Sequence, residues 1–225
     1  MNKICNIKIT YRIIILFIIS QTFTTIVNAV DLPNHYTFPK NYKKGNYTQS
    51  FKNNFLVAKN ENTDTKFFKS VVILVEHDEK GAIGFVINKS LGVYPLSSLV
   101  SKNNKIKESD IIKLDKLKVP IFWGGPLDEN RIFVLHSNDY SSKSTKIYDS
   151  LSVSNDLKIL IDISENNGPN ESLIIVGISA WGDNQLEGEL ERNQWSLAEF
   201  DSNLIFKEKN DDKWNAANKK IFVPL

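Results

Sequence analysis

The sequence predicts a mixed α/β fold in a single domain. Apolar runs of the kind that form buried strands occur at 70–75, 82–87 and 173–178. A stripe of leucines at helical spacing lies within 184–197. The 225 residues are 41% hydrophobic and 24% charged, which is ordinary for a globular protein with a core. Because strands occur both in a hairpin and beside helices, we expect one mixed α/β layer structure.

The first 29 residues have the order of a secretory signal. A basic start is followed by an apolar run over 13–19, and the small residues Val27 and Ala29 precede the expected cut. The run is shorter than the roughly 20 residues of a spanning helix. We therefore expect a cleaved signal, a periplasmic or secreted protein, and no membrane span after cleavage. The alternative is an uncleaved signal that anchors the chain in the membrane.

Cleavage changes the charge of the chain. The signal holds Lys3, Lys8 and Arg12 and no acid, so its removal takes the formal charge from +2 to −1. A nearly neutral mature chain gives no electrostatic basis for binding nucleic acid, and we expect none. The one cysteine, Cys5, is also lost with the signal. The mature chain then has no disulfide, thiolate nucleophile or cysteine metal site.

Residues 30–54 are interpreted as a linker. They contain two prolines, one acid at Asp31, and no apolar periodicity. This composition predicts an extended or poorly ordered lead-in, with the folded domain spanning 55–225. The alternative is a plastid transit segment behind the signal, since such segments are poor in acids. His35 lies in this linker and is a poor candidate for a site.

A β-hairpin is the clearest feature of the first half of the domain. The runs at 70–75 and 82–87 flank a polar break at 76–81 that contains a glycine. Gly84, inside the second run, indicates a bulge or a close approach of another backbone segment. Apolar residues after Pro95 suggest a short helix.

Strands and one ambiguous segment follow. We expect short strands at 120–123 and 131–136, separated by a glycine-rich turn. Residues 154–165 follow helical spacing with Ser154 as a possible N-cap, although their many isoleucines also suit a strand. We prefer the helix. The run at 173–178 predicts another buried strand.

The last third carries the strongest helix signal, over 184–197. Asn184 and the glutamate three residues later have the spacing of a capping box. Residues 204–206 favour a strand. Residues 211–220 predict a terminal helix with Trp214 as its anchor.

Three blocks of sequence together resemble one known family. They read FFKSVVILVEHDEKGAIGFVINKSL at 67–91, GGPLDENRIFVLH at 124–136 and GISAWGDNQLEGELERNQW at 177–195. Their order and content resemble the YqgE/AlgH family of bacterial proteins, over residues 55–225. The resemblance implies a curved, barrel-like β-sheet flanked by helices. It implies no defined activity, because the biochemical role of that family is unsettled and only one branch is tied by name to regulation of alginate production.

The chain departs from the family pattern at several positions. Lys59-Asn60 and Asp64-Thr65 stand where many members have Met-Pro and Asp-Pro. Val75 stands where many members have a cysteine before the Glu-His pair. Thiol chemistry at that position is therefore not open to this chain. The export signal also separates it from cytoplasmic members.

Two histidines are candidates for chemistry. Glu76 and His77 have the residue types of an acid–base pair, but neighbours on a strand point to opposite faces. His136 and His77 have the donors of a metal pair, but they lack a defined third ligand. The alternatives are an ordinary hairpin end for the first pair and a hydrogen-bonded strand end for His136.

A glycine turn and a tryptophan turn are candidates for binding. Exposed N–H groups of Gly124 and Gly125, with Arg131, could hold an anion, although no phosphate-loop pattern follows. The turn after Trp181 leads into a predicted solvated face that carries Glu187. We expect no cofactor and no metal. The candidate residues are Glu76, His77, Gly124, Gly125, Arg131, His136, Trp181, Gln185 and Glu187.

The leading interpretation is a non-catalytic binding or regulatory domain in the cell envelope. A groove near the glycine turn and Trp181 would bind an unknown protein or a small anion. The first alternative is a hydrolase or transferase that uses Glu76, His77, His136 or Arg131. The second alternative is a structural or assembly factor, and the sequence does not define an oligomeric state.

Overall fold

The computed structural model describes residues 50–59, 65–100 and 106–223, which all lie in one compact unit. The predicted signal over 1–29 and the lead-in as far as residue 49 lie outside the described residues. Within the described ranges, no helix has both the length and the apolar character needed to cross a bilayer.

The described residues form eleven strands and six α-helices. The strands are β1 Phe55–Ala58, β2 Val71–Asp78, β3 Gly81–Val86, β4 Ser90–Pro95, β5 Lys118–Trp123, β6 Leu127–His136, β7 Lys146–Tyr148, β8 Leu151–Ser154, β9 Ser172–Gly182, β10 Trp195–Ala198 and β11 Ile221–Phe222. The helices are α1 Ser97–Val100, α2 Glu108–Lys116, α3 Leu157–Ser164, α4 Gln185–Glu191, α5 Ser202–Phe206 and α6 Lys213–Asn218. A 3₁₀ turn occupies Thr65–Phe67.

One sheet with β9 at its centre joins all these strands. The order is β11-β10-β1-β2-β3-β9-β6-β8-β7, and β5 pairs with β9 and with the edge strand β4. Only the β5–β9 pair is parallel within the described sheet. The first part of β9 pairs with β6 and its last part pairs with β3. The sheet curls into a half-barrel, which confirms both the mixed α/β prediction and the curved sheet.

Glycines permit the tight contact at which β9 changes partner. Gly125 has φ +152° and Gly177 has φ +79°. A Cβ atom on Gly125 would lie 2.2 Å from the carbonyl oxygen of Ile178, and one on Gly177 would lie 2.5 Å from that of Gly125. No side chain fits between these backbones, so the glycine turn predicted from sequence is a crossing of two chain segments.

The hairpin of β2 and β3 confirms the strand predictions, but its turn is shorter than expected. Glu76, His77 and Asp78 pair with β3, so the polar break is largely strand. Ladder hydrogen bonds and specific side-chain partners hold these polar residues in extended form. The close backbone approach predicted at Gly84 is confirmed, because a Cβ there would lie 2.8 Å from the carbonyl oxygen of Ile73.

The helix preferred for 154–165 is confirmed as α3, but its cap is different. Asp156 is the N-cap, and its Oδ1 accepts the backbone N–H of Ile159 at 3.2 Å. Ser154 is instead the buried last residue of β8. The hydroxyl of Ser154 is bonded to His136 and Thr145, whereas the charge of Asp156 also interacts favourably with the helix dipole.

Three predictions in the last third are wrong. Asn184 adopts a left-handed conformation at φ 56° and its side chain makes no cap, so the capping box is absent. Helix α4 ends at Glu191, and residues 195–198 form β10 instead of a last helical turn. Residues 204–206 lie in α5 and not in a strand, because Asp201 caps that helix by accepting the N–H of Asn203 at 2.9 Å.

The terminal helix is confirmed as α6. The indole Nε1 of Trp214 donates to the carbonyl oxygen of Ala58 at 2.9 Å and so anchors the helix to β1. Ala217 and Lys213 are the buried residues of this helix.

Candidate functional site

His77 is held from both sides of its ring. The backbone N–H of Phe51 donates to Nδ1 at 2.8 Å, and the phenyl ring stacks on the imidazole with centroids 4.9 Å apart. Nε2 lies 2.8 Å from Oε1 of Glu187. Because an N–H faces Nδ1 and a carboxylate faces Nε2, the ring carries its proton on Nε2. Only 5% of the His77 side chain is exposed.

The segment before β1, residues 50–54, is bonded to His77 and packed against it. Ser50 Oγ donates to the carbonyl oxygen of His77 at 2.8 Å, and Phe51 is buried in the core. The folded part therefore includes residues 50–54. This segment shows no apolar periodicity because it packs through one aromatic ring and a few hydrogen bonds.

Glu187 faces the protein instead of solvent. Its side chain is 16% exposed, in contrast to the solvated face predicted for it. Burial alone would raise the pKa of this carboxyl, but the hydrogen bond from His77 and a backbone N–H hold the pKa below its ordinary value. The Glu187 carboxylate is thus ionised at neutral pH and fixes the orientation of the imidazole.

Glu76 lies on the opposite face and serves other neighbours, as the strand geometry predicts. Its Oε1 accepts the hydroxyl of Tyr148 at 2.6 Å and lies 3.5 Å from Nζ of Lys146. Burial and this carboxylate raise the pKa of Tyr148. Glu76 and His77 therefore do not form a working pair.

His136 is fully buried and bonded at both nitrogens. Nδ1 lies 2.8 Å from the carbonyl oxygen of Ser137, so this nitrogen carries the proton. Nε2 lies 2.9 Å from Oγ of Ser154 and accepts its hydroxyl. Burial lowers the pKa of the imidazole, which keeps it neutral.

The Ser154–His136 contact has the donor pattern of a nucleophile and its base, and the sequence reasoning did not identify it. Ser154 is also fully buried, so no substrate reaches the hydroxyl. The serine lies 2.6 Å from Oγ1 of Thr145, and that oxygen lies 3.1 Å from the hydroxyl of Ser142. Ser142 in turn donates to Asp156 at 2.7 Å. The density of hydroxyl residues over 141–145 is the sequence signal that could have indicated this partly buried network.

The glycine turn uses its polar groups inside the fold. Gly124 donates its N–H to Val176 at 2.8 Å, and its carbonyl accepts Ser179 Oγ at 3.0 Å. Arg131 lies 3.7 Å from Asp128 and over the ring of Phe133 at 5.2 Å. Arg131 thus has the local acidic partner that the alternative interpretation expected.

Trp181 and Gln185 converge on the carboxylate of Glu189, which follows them on the same turn and helix but is not among the candidate residues. Oε2 of Glu189 accepts the indole N–H of both Trp181 and Trp195, each at 2.8 Å. Gln185 donates to Oε1 of Glu189 at 2.9 Å and accepts the N–H of Gly182 at 3.1 Å. No motif marks a glutamate that receives two indoles, since the second tryptophan comes from a strand predicted as helix.

An aromatic row continues from this carboxylate toward the surface. The ring of Trp195 lies 6.1 Å from that of Trp181 and 5.4 Å from that of Phe67. Phe67 in turn lies 5.4 Å from Trp123, the residue before the glycine turn. Phe67 and Trp123 are only partly buried. The row therefore joins Trp181 to the neighbourhood of Gly124.

The structure brings some of the candidate residues together. Helix α4 carries both Gln185 and Glu187, so it links the Trp181 turn to His77. Glu76, Arg131 and His136 have separate partners. In the described ranges, no three His, Cys, Asp or Glu side chains are grouped so that they could hold a metal ion.

Comparison with known proteins decides the family. The model of the AlgH-like family DUF179 matches residues 55–225. The chain belongs to the AlgH-like family. A UPF0301 protein of Shewanella sp. (strain ANA-3) is 36% identical over 174 residues, which cover 77% of this chain and 92% of the relative. A UPF0301 protein of Rickettsia akari is 38% identical over 158 residues, covering 70% and 80%.

Two solved structures have the same fold. The AlgH protein from Pseudomonas aeruginosa is similar with a TM-score of 0.65 and 31% identity, over 79% of this chain and 92% of that one. Protein DIP2367 from Corynebacterium diphtheriae has a TM-score of 0.56 at 15% identity, over 77% and 88%, and supports the fold alone. The resemblance to the YqgE/AlgH family is thus confirmed, and the family is one of uncharacterised function.

Proposed function

We propose that this AlgH-like chain is a non-catalytic binding or regulatory domain that acts in the cell envelope. One observation carries the proposal: His77 and His136, the two histidines among the described residues, are each bonded at both ring nitrogens to groups of the fold. A general base must present a free nitrogen to its substrate. Rings engaged in this way are suited to structural roles.

The groove beside Gly124, Gly125, Trp181 and Gln185 is the binding region that we favour. The half-buried rings of Phe67 and Trp123 pack on each other beside the glycine turn and would form the rim of this groove. Aromatic rings with a polar neighbour are typical of sites that bind peptides and proteins. The ligand that this chemistry fits is an apolar or aromatic segment of another protein.

Placement in the envelope rests on the signal pattern of the first 29 residues. The test is to isolate the protein from its host by cell fractionation and to determine its N-terminal residue. A periplasmic or secreted protein that begins at Val30 supports the proposal. A cytoplasmic protein that begins at Met1 contradicts it.

Replacement of both imidazoles tests the non-catalytic role. His77→Gln retains a donor toward Glu187, and His136→Asn retains a donor toward Ser137. In a strain whose own gene is deleted, we expect a folded double variant to restore the phenotype. Loss of the phenotype in a folded double variant favours the hydrolase or transferase alternative.

Binding is tested with the wild-type chain as bait in an envelope extract. We expect one reproducible partner whose recovery falls when Trp123 is replaced by Ser. Replacement of Ile147, an exposed residue on β7, provides the control and leaves recovery unchanged. Failure to recover any reproducible partner contradicts the proposal, and a stable homo-oligomer without ligand favours an assembly role.

A further inference from the structure

Exposed apolar side chains cluster on and beside the edge strand β4. Four large apolar side chains there are between 46% and 64% exposed, and Val93 is the most exposed of them. With two neighbouring lysines they define what we call the β4 surface: Phe68, Lys69, Lys89, Leu91, Val93 and Tyr94. Soluble monomers seldom expose apolar side chains in such a group without a partner.

Contacts link several of these residues around the edge strand, on which the neighbours Val93 and Tyr94 point to opposite sides. Nζ of Lys89 donates to the carbonyl oxygen of Phe68 at 2.5 Å, which joins the turn before β2 to the start of β4. The hydroxyl of Tyr94 donates to the carbonyl oxygen of Leu91 at 3.0 Å. The ring of Tyr94 thus lies along the strand next to Leu91.

The charge of this face is positive and uncompensated. Nζ of Lys69 lies 5.6 Å from the ring centre of Phe68 and 5.3 Å from that of Trp214. Burial and the nearby charge of Lys69 lower the pKa of Lys89. No carboxylate forms an ion pair with Lys69 or Lys89 in the described part of the chain. Two cations that repel each other attract an anionic partner.

The backbone of β4 is poorly suited to an added strand. Val93 lies opposite Pro120, which has no N–H, so this is a pair without ladder bonds and the N–H and C=O of Val93 face the open edge. Around it, the register shifts between Ser90 and Gly92, and Pro95 ends the strand. The carbonyl oxygen of Leu91 also already accepts a hydrogen bond from the Tyr94 hydroxyl. Val93 thus offers backbone groups to an added strand, but the register shift, the proline and the bonded carbonyl around it are features that proteins use to prevent strand addition.

A partner of this face must therefore bind side chains and carry negative charge. We propose that the β4 surface docks on an anionic lipid bilayer, with its apolar side chains in the interface and Lys69 and Lys89 against the headgroups. Amphipathic surfaces bind membranes through this combination of apolar burial and basic charge. The inference goes beyond the proposed function, because it uses none of the residues of the groove or of the His77 contact.

Vesicle binding of the full chain as isolated from its host tests this docking. Vesicles of phosphatidylcholine are compared with vesicles that contain 30% phosphatidylglycerol, and bound protein is separated by sedimentation. Because each of the two lysines is attracted to anionic headgroups, we expect the wild type to bind the anionic vesicles about 30-fold more tightly than the phosphatidylcholine vesicles. Lys69→Gln with Lys89→Gln removes that preference, and Leu91→Thr with Val93→Thr weakens binding about tenfold.

Matched controls separate the β4 surface from the rest of the chain. Lys80→Gln alters an exposed lysine at the β2–β3 turn, and Ile147→Thr alters an exposed apolar residue on β7. Both controls bind as the wild type does.

Equal binding of the wild type to the two vesicles overturns the proposal, as does unchanged binding of either β4 variant. Conversion of a wild-type dimer to a monomer by Leu91→Thr with Val93→Thr also overturns it, because the occupant is then a second copy. The double imidazole variant should bind vesicles normally, so failure here leaves the proposed function standing.

Discussion

His77 and Glu187 are 110 residues apart in sequence, and a 2.8 Å contact between Nε2 and Oε1 joins them. This contact ties strand β2 to helix α4. Because the backbone N–H of Phe51 donates to the other ring nitrogen, the same imidazole also holds residues 50–54, which precede β1. Three parts of the chain thus meet on one ring.

Glu187→Gln should destabilise the fold by about 1–2 kcal/mol at pH 7, since a hydrogen bond to a charged group is lost. The pKa of Glu187 is lowered in the folded protein, so its stabilisation is present above the ordinary carboxyl pKa and is lost as pH falls through the folded value. The difference should therefore shrink below about pH 4.3. Urea unfolding at several pH values measures it. Glu191→Gln, exposed on the same helix, is the control, and an equal effect there contradicts the assignment.

His136 should make the fold sensitive to mild acid. Its pKa is lowered by burial, so the unfolded chain binds the proton more readily and stability falls as pH drops below about 6.5. His136→Asn should cost about 1–3 kcal/mol at pH 7, because Ser154 loses its acceptor. The same variant should also reduce the change of the unfolding free energy with pH between pH 7 and pH 5. A wild-type slope that persists in the variant would refute this role.

Lys213 is a buried amine that holds α6 against the sheet. Its Nζ donates to the carbonyl oxygens of Ile205 at 2.8 Å and Ile87 at 3.1 Å. Burial lowers its pKa to about 8. Because the folded pKa is below the unfolded one, stability should rise with pH by about 1–2 kcal/mol between pH 8 and 9.5.

Lys213→Met should abolish that rise, whereas Lys219→Met, exposed at the end of the same helix, should retain it. Thermal or urea unfolding at the two pH values measures both variants. An identical alkaline rise in Lys213→Met and wild type argues against the buried amine.

The crossing of Gly125 and Gly177 should tolerate no side chain. Gly125→Ala places a methyl group against Ile178 backbone and should cost about 3 kcal/mol or more, or prevent folding. Gly92→Ala is the control, since its φ is also positive at +126° but the nearest atoms belong to the ring of Tyr94. That ring can move, so the cost should be about 1–2 kcal/mol. Equal costs at the two glycines, measured by urea unfolding, contradict the crossing.

The apolar strands could be predicted because an uninterrupted run of apolar residues indicates a strand that is buried on both faces. The runs at 70–75 and 173–178 are buried on both faces in β2 and β9, and nothing else suits them. Short segments were less predictable. Trp195–Ala198 and Ser202–Phe206 are four and five residues long. Segments this short do not show whether apolar residues repeat with the period of a strand or with that of a helix.

The site depended on contacts that sequence does not encode locally. Glu187 has the spacing of a solvated helix face, and only the position of β2 beside α4 turns it toward His77. Glu189 stands in a similar place, yet two indoles from different strands reach it. The opposite directions of Glu76 and His77 were predictable, because alternation along a strand requires them.

The tautomers of the two imidazoles test the central claim most directly. Nitrogen NMR of the folded chain should show His77 protonated at Nε2 and His136 protonated at Nδ1, each in a single form at pH 7.5. Such spectra match rings that are fixed by Glu187 and by Ser137. A ring that exchanges between its two tautomers, or a free Nε2 on His77, would contradict the account and return that histidine to the list of candidate bases.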